Sequence, residues 1–146
     1  MSVLLALWIV GVMPISARPR AKRVVMIALD GISVPGFTTA HTPNLDNLLA
    51  QGALSLTTRV VMPSVTLPNW TSHLTGSGPE QHGVVDNGWQ IDKKGFPAVE
   101  IDKEGYYPSV FKVMKEEIPE CKTAFYYNWI NLFYPYNKKY LDEVSY

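Results

Sequence analysis

The stretch Arg23-Val-Val-Met-Ile-Ala-Leu-Asp-Gly31 decides the fold class of this chain. Residues 24–29 form a continuous apolar run of strand length, which is typical of a parallel strand buried on both faces. Asp30 ends the run, and Gly31 allows a sharp turn. Because ligands of open α/β sheets bind beyond the carboxyl ends of the strands, a carboxylate at Asp30 can bind a divalent cation there. An aspartate that serves only the turn is the alternative.

Helix and strand patterns alternate after this run. Thr42 as N-cap and Pro43 at the first helical position predict a helix that ends at Gly52. Residues 53–62 are rich in β-branched side chains and predict a second strand. Pro68 then predicts the opening of a second helix. This order favours an α/β fold, namely an α/β/α sandwich with a mainly parallel sheet.

The second half of the chain continues the pattern less clearly. Residues 91–95 and 101–105 predict turns, with a hairpin or excursion between them. Pro108 starts a third helix that Pro119 ends, and residues 123–129 predict a third strand. Nothing in the remaining tail closes a domain, so we expect the sandwich to be incomplete in this chain.

Composition excludes several classes of protein. The chain has 146 residues, which suits one domain, and a hydrophobic fraction of 47%, which is enough for a core. Its formal net charge is zero, so no nucleic-acid-binding patch is expected. The single cysteine, Cys121, excludes zinc-finger and disulfide frameworks.

The first seventeen residues resemble a secretory signal peptide. Residues 3–13 are almost wholly apolar, and the small residue Ala17 marks the predicted cleavage site. The run is about half of the ~20 residues that a spanning helix needs, so no spanning membrane segment is predicted. Residues 18–146 would then form the exported domain, in the periplasm or secreted. Arg18 and Arg20 follow the run and oppose export, and a buried N-terminal strand or a misassigned start is the alternative.

The second informative stretch is Met62-Pro-Ser-Val-Thr-Leu-Pro-Asn-Trp70. It places the hydroxyl of Thr66 at the start of the helix that Pro68 opens, where free backbone N–H groups bind phosphate. A threonine hydroxyl is a poor nucleophile alone, but coordination to a metal would activate it. The alternative is a helix-capping hydroxyl, for which Ser64 and Thr66 are both suitable.

Four motifs resemble the alkaline phosphatase superfamily. They are Leu-Asp-Gly at 29–31, Thr-Pro-Asn-Leu-Asp at 42–46, Pro-Ser-Val-Thr-Leu-Pro-Asn at 63–69 and Leu-Thr-Gly-Ser-Gly-Pro-Glu-Gln-His-Gly-Val-Val-Asp-Asn at 74–87. Within the superfamily they are most similar to the nucleotide pyrophosphatase/phosphodiesterase (type I phosphodiesterase) branch. The resemblance covers residues 23–88, and extends more loosely to about residue 130.

The resemblance implies a role for three residues. Asp30 would bind one of two Zn²⁺ ions, and Thr66 would attack phosphorus while contacting the same zinc. Asn87, together with the Thr66 backbone N–H, would hold a non-bridging phosphate oxygen, which is an oxyanion-hole arrangement. The family's remaining zinc ligands lie beyond Tyr146, so the chain resembles the N-terminal part of a catalytic domain and is expected to be inactive alone.

The predicted function is therefore zinc-dependent hydrolysis of phosphodiester or nucleotide pyrophosphate bonds through a phosphothreonine intermediate on Thr66. The partner would be a small-molecule phosphodiester or nucleotide. A phosphomonoesterase or phosphonate hydrolase on the same scaffold is one alternative, and a non-catalytic protein that binds a phosphorylated ligand is another. Sulfatase activity is disfavoured because the chain has no Cys/Ser-x-Pro-x-Arg motif.

Three further features are interpreted as structural. His82 lies in the segment Pro79-Glu-Gln-His-Gly83 and is expected to support the fold. The glycosylation acceptor pattern Asn69-Trp-Thr71 falls inside the predicted second helix and is interpreted as a chance match. Several aromatic residues could stack on a nucleobase, but packing is the favoured role for each: Trp89, Tyr106, Tyr107, Tyr126, Tyr127 and Trp129.

Overall fold

The computed structural model describes residues 22–93 and 95–146. The chain divides into two compact units, one that ends at Gly31 and one that covers Ile32–Tyr146. The predicted signal peptide, residues 1–17, lies outside the described residues. No helix in the described part of the chain combines the length and the apolar character that crossing a membrane requires.

Five α-helices and two short strands make up the regular structure of the described residues. The helices are α1 (Val34–Thr39), α2 (Pro43–Leu49), α3 (Thr66–Thr75), α4 (Pro79–His82) and α5 (Val110–Glu117). The strands are β1 (Ala124–Tyr126) and β2 (Glu143–Ser145), and 3₁₀ turns cover Ile130–Phe133 and Lys138–Tyr140. The two strands pair in parallel, with Ala124 opposite Glu143.

The predicted helices are present, and their ends follow local signals. Helix α2 has Thr42 at its N-cap and Pro43 in its first turn, as predicted, but it ends at Leu49, three residues before the predicted Gly52. Helix α3 begins at Thr66, two residues earlier than predicted, because a proline at the third position lacks only an N–H that the first turn leaves unpaired anyway. It ends at Gly76, whose φ of 68° is in the left-handed region. Helix α5 begins at Val110, two residues after the predicted start at Pro108, and ends at Glu117, two residues before Pro119.

Two helices were not predicted. Helix α1 begins after Ser33, whose side chain accepts a hydrogen bond from the Gly36 N–H at 3.1 Å. A capping serine followed by Pro35 in the first turn is a recognisable start signal, but the helix is only six residues long. Helix α4 is a single turn of four residues and is too short to show a hydrophobic period.

The predicted strands over 24–29 and 53–62 are wrong: both runs are irregular in the structure. Their large apolar side chains are mostly exposed, including those of Val25 and Ile27. A strand is held by hydrogen bonds to a neighbouring strand, and no described segment pairs with either run. The third predicted strand, 123–129, is present in the shorter form of β1, and its parallel pairing agrees with the α/β class.

The core of the larger unit consists of two clusters that both include α3. Leu67, in the first turn of α3, packs with Val84 and Trp89. Leu74, in its last turn, packs with Phe111 and Tyr136. Burial of each large apolar side chain contributes about 1.5–3 kcal/mol. Core packing therefore fixes helix α3 near both of its ends. The backbone of its first residues is held in place by the packing of Leu67.

Candidate functional site

Thr66 is the first residue of α3, and its side chain is half-buried. The N-cap is Val65, with extended backbone angles, and its own side chain makes no capping hydrogen bond. The capping role considered for Ser64 and Thr66 is therefore wrong. The Thr66 hydroxyl lies in the first turn, where the helix carries its partial positive charge.

Asn87 reaches the same end of α3. Its Oδ1 accepts a hydrogen bond from the Leu67 N–H at 2.8 Å, and its main-chain oxygen accepts one from Asn131 Nδ2 at 2.8 Å. Because Oδ1 is used by the helix, the Nδ2 group is the part of this amide that can donate to a ligand. The structure thus brings Asn87 next to the residue that follows Thr66, although the two predicted site residues are 21 positions apart in the chain.

The backbone donors of the first turn are almost fully used. The Val65 N–H donates to the Pro63 oxygen at 2.9 Å, the Leu67 N–H donates to the side-chain amide just described, and Pro68 has no N–H. Within the described residues, the Thr66 N–H has no hydrogen-bond acceptor. It is the donor that this helix start leaves for a ligand.

The electrostatics of this helix start favour an anion. The first turn of α3 contains no acidic residue, so the partial positive charge of the ten-residue helix is not neutralised there. One backbone N–H of Thr66 and one amide group of Asn87 are the available donors. Two neutral donors beside a hydroxyl at a helix N-terminus can hold a phosphate oxygen while the hydroxyl faces phosphorus.

Asn69 fixes the segment that leads into the site. Its Oδ1 accepts from the Val61 N–H at 2.9 Å, and its Nδ2 donates to the oxygens of Val65 at 2.9 Å and Pro63 at 3.2 Å. Both ends of the amide are therefore used to hold the chain before Thr66. This role of Asn69 was not predicted from the sequence. The available signal was its position three residues after Thr66, which places both residues on the same face of the helix.

The pattern Asn69-Trp-Thr71 is accounted for by the fold. The hydroxyl of Thr71 is buried and donates to the Leu67 oxygen at 2.7 Å, within α3. The Asn69 amide is engaged in the contacts that hold residues 61–65. These contacts give both residues a structural role, and the interpretation of the glycosylation pattern as a chance match stays a prediction.

His82 is buried behind α3, with an exposed fraction of 2%. The Val84 N–H donates to its Nδ1 at 3.0 Å, and a backbone N–H can only donate, so Nδ1 is unprotonated. Its Nε2–H therefore donates to the Ser72 hydroxyl oxygen at 3.0 Å. Burial lowers the pKa of His82 to about 4, against a smaller opposite effect of Glu80, so the ring is neutral at pH 7. The structural interpretation of His82 is confirmed.

Asp30 belongs to the unit that ends at Gly31. It is exposed, and its Oδ1 accepts a hydrogen bond from the Gly31 N–H at 2.7 Å. Gly31 has a φ of 73°, which a glycine adopts without strain. The turn contact that was the alternative role of Asp30 is present, and metal binding by this carboxylate stays a prediction.

The described residues do not fit a complete zinc site. In residues 22–93 and 95–146, no three or more His, Cys, Asp or Glu side chains are grouped where they could hold a metal ion. Asp30 and Thr66 offer two oxygen donors, whereas protein zinc sites use at least three protein ligands. No catalytic step is therefore assigned to zinc on the basis of this chain.

The aromatic residues that could stack on a nucleobase mainly pack within the fold. Trp89 is buried in the core cluster with Leu67, and Trp129 packs against that cluster. Tyr127 stacks on Phe133, with their ring centroids 5.2 Å apart. Tyr126 differs, because it is largely exposed. The packing interpretation is confirmed for Trp89, Tyr127 and Trp129.

Comparison with known protein families identifies the family to which this chain belongs. The model of the type I phosphodiesterase / nucleotide pyrophosphatase family matches residues 24–141, which is most of the chain. The chain belongs to this family. Membership confirms the resemblance that the motifs indicate, and the family is one of hydrolases. The matched region includes Asp30, Thr66 and Asn87.

Three relatives illustrate the similarity. The chain is 35% identical over 66 residues to mouse ectonucleotide pyrophosphatase/phosphodiesterase family member 3, a match that covers 44% of the chain and 8% of the relative. It is 30% identical over 83 residues to mouse bis(5'-adenosyl)-triphosphatase enpp4, covering 56% and 18%. It is 23% identical over 148 aligned positions to venom phosphodiesterase of Macrovipera lebetinus, covering 75% and 17%.

The matched segments are a small part of each relative. They span between 8% and 18% of the relatives' own lengths. No solved structure gives a significant match to the chain.

Proposed function

We propose that the full protein hydrolyses phosphodiester or nucleotide pyrophosphate bonds, with Thr66 as the nucleophile. One observation supports this most strongly: the start of α3 combines the Thr66 hydroxyl, an available Thr66 N–H and the Asn87 amide, which is anchored 2.8 Å from the Leu67 nitrogen. A purely structural role for this turn would explain the hydrogen bond to Asn87 Oδ1. It would give no role to the Thr66 N–H or to Asn87 Nδ2.

The reaction has two displacements. The Thr66 oxygen forms a bond to phosphorus and loses its proton, while the bond from phosphorus to the leaving alcohol or phosphate breaks and the leaving group takes up a proton. The product is a phosphothreonine that still carries the ester group retained from a diester substrate. Water then attacks phosphorus, restores the Thr66 hydroxyl and releases the phosphomonoester. The net reaction consumes one water per bond cleaved.

The donors at the helix start would act on the charge that develops during both displacements. The Thr66 N–H and Asn87 Nδ2 would donate to the same non-bridging oxygen. Because the core holds α3 and the helix itself holds Asn87, these donors are oriented before the substrate binds, which is the condition for strong stabilisation of a transition state.

Metal binding is part of the proposal as an expectation of the family resemblance. Two Zn²⁺ ions in a complete site would stabilise the attacking and leaving oxygens. From this chain, Asp30 and Thr66 are the proposed ligands. Because they are too few for a complete site, we expect the isolated 146-residue chain to be inactive.

The names of the relatives support a substrate class and a location. The relatives are named as nucleotide pyrophosphatases/phosphodiesterases, as a triphosphatase for a bis-adenosyl compound, and as a venom enzyme. We therefore propose a small-molecule phosphodiester or nucleotide as substrate. We also propose that the protein is exported, to the periplasm or outside the cell, by the predicted signal peptide over residues 1–17.

The test is Thr66→Ala in the full protein. We expect phosphodiester hydrolysis to fall by about three orders of magnitude or more, because removing a nucleophile abolishes the covalent route. Thr58→Ala is the matched control, since Thr58 is an exposed threonine whose hydroxyl contacts only Ser55 Oγ in the described structure. Steady-state rates on a nitrophenyl-labelled nucleotide diester provide the measurement.

Two results would contradict the proposal. One is a Thr66→Ala variant that keeps the wild-type rate. The other is a wild-type protein that hydrolyses the corresponding monoester much faster than the diester, which would assign it to the phosphomonoesterases.

A further inference from the structure

We propose that His82 is a positioning residue of the catalytic site, which holds the segment carrying Asn87 in register with α3, the helix that carries Thr66. This inference rests on the proposed function. It concerns a residue with no hydrogen bond to Thr66 or Asn87, which acts through the Ser72 hydroxyl on α3 and the backbone N–H of Val84.

The hydrogen bonds of His82 connect the two parts of the site. On one side its Nε2–H donates to Ser72, in the middle of α3. On the other side its Nδ1 accepts the Val84 N–H, in the segment that continues to Asn87. The ring therefore bridges the helix of the nucleophile and the backbone of the phosphate-binding amide, and each bridge uses a different nitrogen.

The chain between His82 and Asn87 is short and fixed. Gly83 has a φ of 74°, and a Cβ built there would lie 2.6 Å from the Phe96 oxygen. Val84 is 2% exposed and packs in the cluster that contains Leu67. A displacement of His82 is thus transmitted to Asn87 with few rotatable bonds to absorb it, and the Asn87 side chain bonds to the Leu67 N–H at the other end.

The surroundings of the ring require its neutral form. Protonation would place a second N–H at Nδ1, opposite the Val84 N–H, and would break that bond. The titratable groups that face the ring are Glu80 of its own helix and Tyr107, whose ring centroid is 6.3 Å away in an edge-on arrangement. From α3 the ring meets the uncharged Ser72. The bridge is therefore intact at pH 7.

The experiment compares His82→Leu, Ser72→Ala and the double variant in the full protein, with kcat and KM measured on the same nucleotide diester. We expect each single variant to lower kcat by about tenfold or more with little change in KM, because a displaced catalytic group mainly affects the transition state. The double variant should be no worse than His82→Leu, since Ser72 acts through His82.

Phe111→Leu is the matched control for loss of stability. It weakens the other core cluster of α3, in which Phe111 packs with Leu74 and Tyr136, and none of these residues belongs to the bridge. We expect it to lower the melting temperature while kcat stays within about twofold of wild type. If His82→Leu does not fold, Ser72→Ala carries the test, because it removes only one half-buried hydroxyl.

A positioning role is overturned if Ser72→Ala and His82→Leu keep wild-type kcat, or if Phe111→Leu loses kcat to the same degree. Thr66→Ala in the same assay separates this outcome from failure of the proposed function. If Thr66→Ala stays active, the proposed function fails. If Thr66→Ala is inactive while the His82 and Ser72 variants are unaffected, only the positioning role fails.

Discussion

Asn87 has two hydrogen-bonding groups, and the fold uses only one of them for α3. Its Oδ1 binds the Leu67 N–H, whereas its Nδ2 is the group proposed to contact phosphate. A single substitution separates these functions. Asn87→Asp keeps an oxygen that can accept from Leu67, but it replaces the donor with a negatively charged oxygen.

We therefore expect Asn87→Asp to fold normally and to lose about 10²–10³ in kcat on a diester. Asn47→Asp makes the same chemical change at an exposed position of α2 and should leave the rate unchanged. Rates and melting temperatures of the two variants are the measurement. An Asn87→Asp variant with a wild-type rate would mean that Nδ2 does not contact the substrate.

Residue type and position pointed to Asp30 and Thr66, and the family resemblance added Asn87. The roles of all three residues stay predictions. Residue type and position were not sufficient to find the bonds of Asn69 or of His82. The partners of Asn69 are backbone groups of residues 61–65, whose arrangement depends on an irregular loop. Such partners are set by the folded geometry, and the position of Asn69 one turn after Thr66 does not identify them.

Helix α3 and the turn after α4 form the support of the site at the scale of elements. Gly76 ends α3 and Gly83 ends α4, and both have φ near 70°. The two glycines differ in their surroundings, because a Cβ at Gly76 meets no heavy atom within 4 Å, whereas one at Gly83 lies 2.6 Å from the Phe96 oxygen. They form a matched pair for separating backbone strain from close packing.

Gly76→Ala should cost about 1–2 kcal/mol of unfolding free energy, which is the cost of the left-handed conformation. Gly83→Ala should cost more, because backbone atoms must also move. Denaturant unfolding measures both values. Equal losses would show that the close approach at Gly83 is relieved without cost.

Helices were easier to predict than strands for a physical reason. Several helix signals are local, such as Thr42 and Pro43 at the start of α2 and Gly76 after α3, so a few residues locate each helix to within two or three positions. The runs 24–29 and 53–62 have the composition of strands. A strand also needs a neighbouring strand to pair with, and composition does not show which segment that is. The partner of β1 is β2, in a tail whose sequence shows no clean period.

At the scale of the whole molecule, the described residues include a packed core around α3 and apolar runs that are exposed. Both core clusters include α3, whereas Val24, Val25 and Ile27 are each about four-fifths exposed. The α/β class, the parallel pairing and the family were predictable from the sequence. The extent of the sheet was not predictable, because a run of strand composition forms a strand only where a neighbouring segment pairs with it.

The central claim is that Thr66 becomes covalently attached to the substrate. The most direct measurement is to quench the full protein during turnover of a nucleotide diester labelled in the retained nucleotide, and to locate the label by proteolysis and mass spectrometry. We predict that the label is on Thr66. A label on Ser64 instead, or hydrolysis that proceeds with no covalent label on the protein, would contradict the claim.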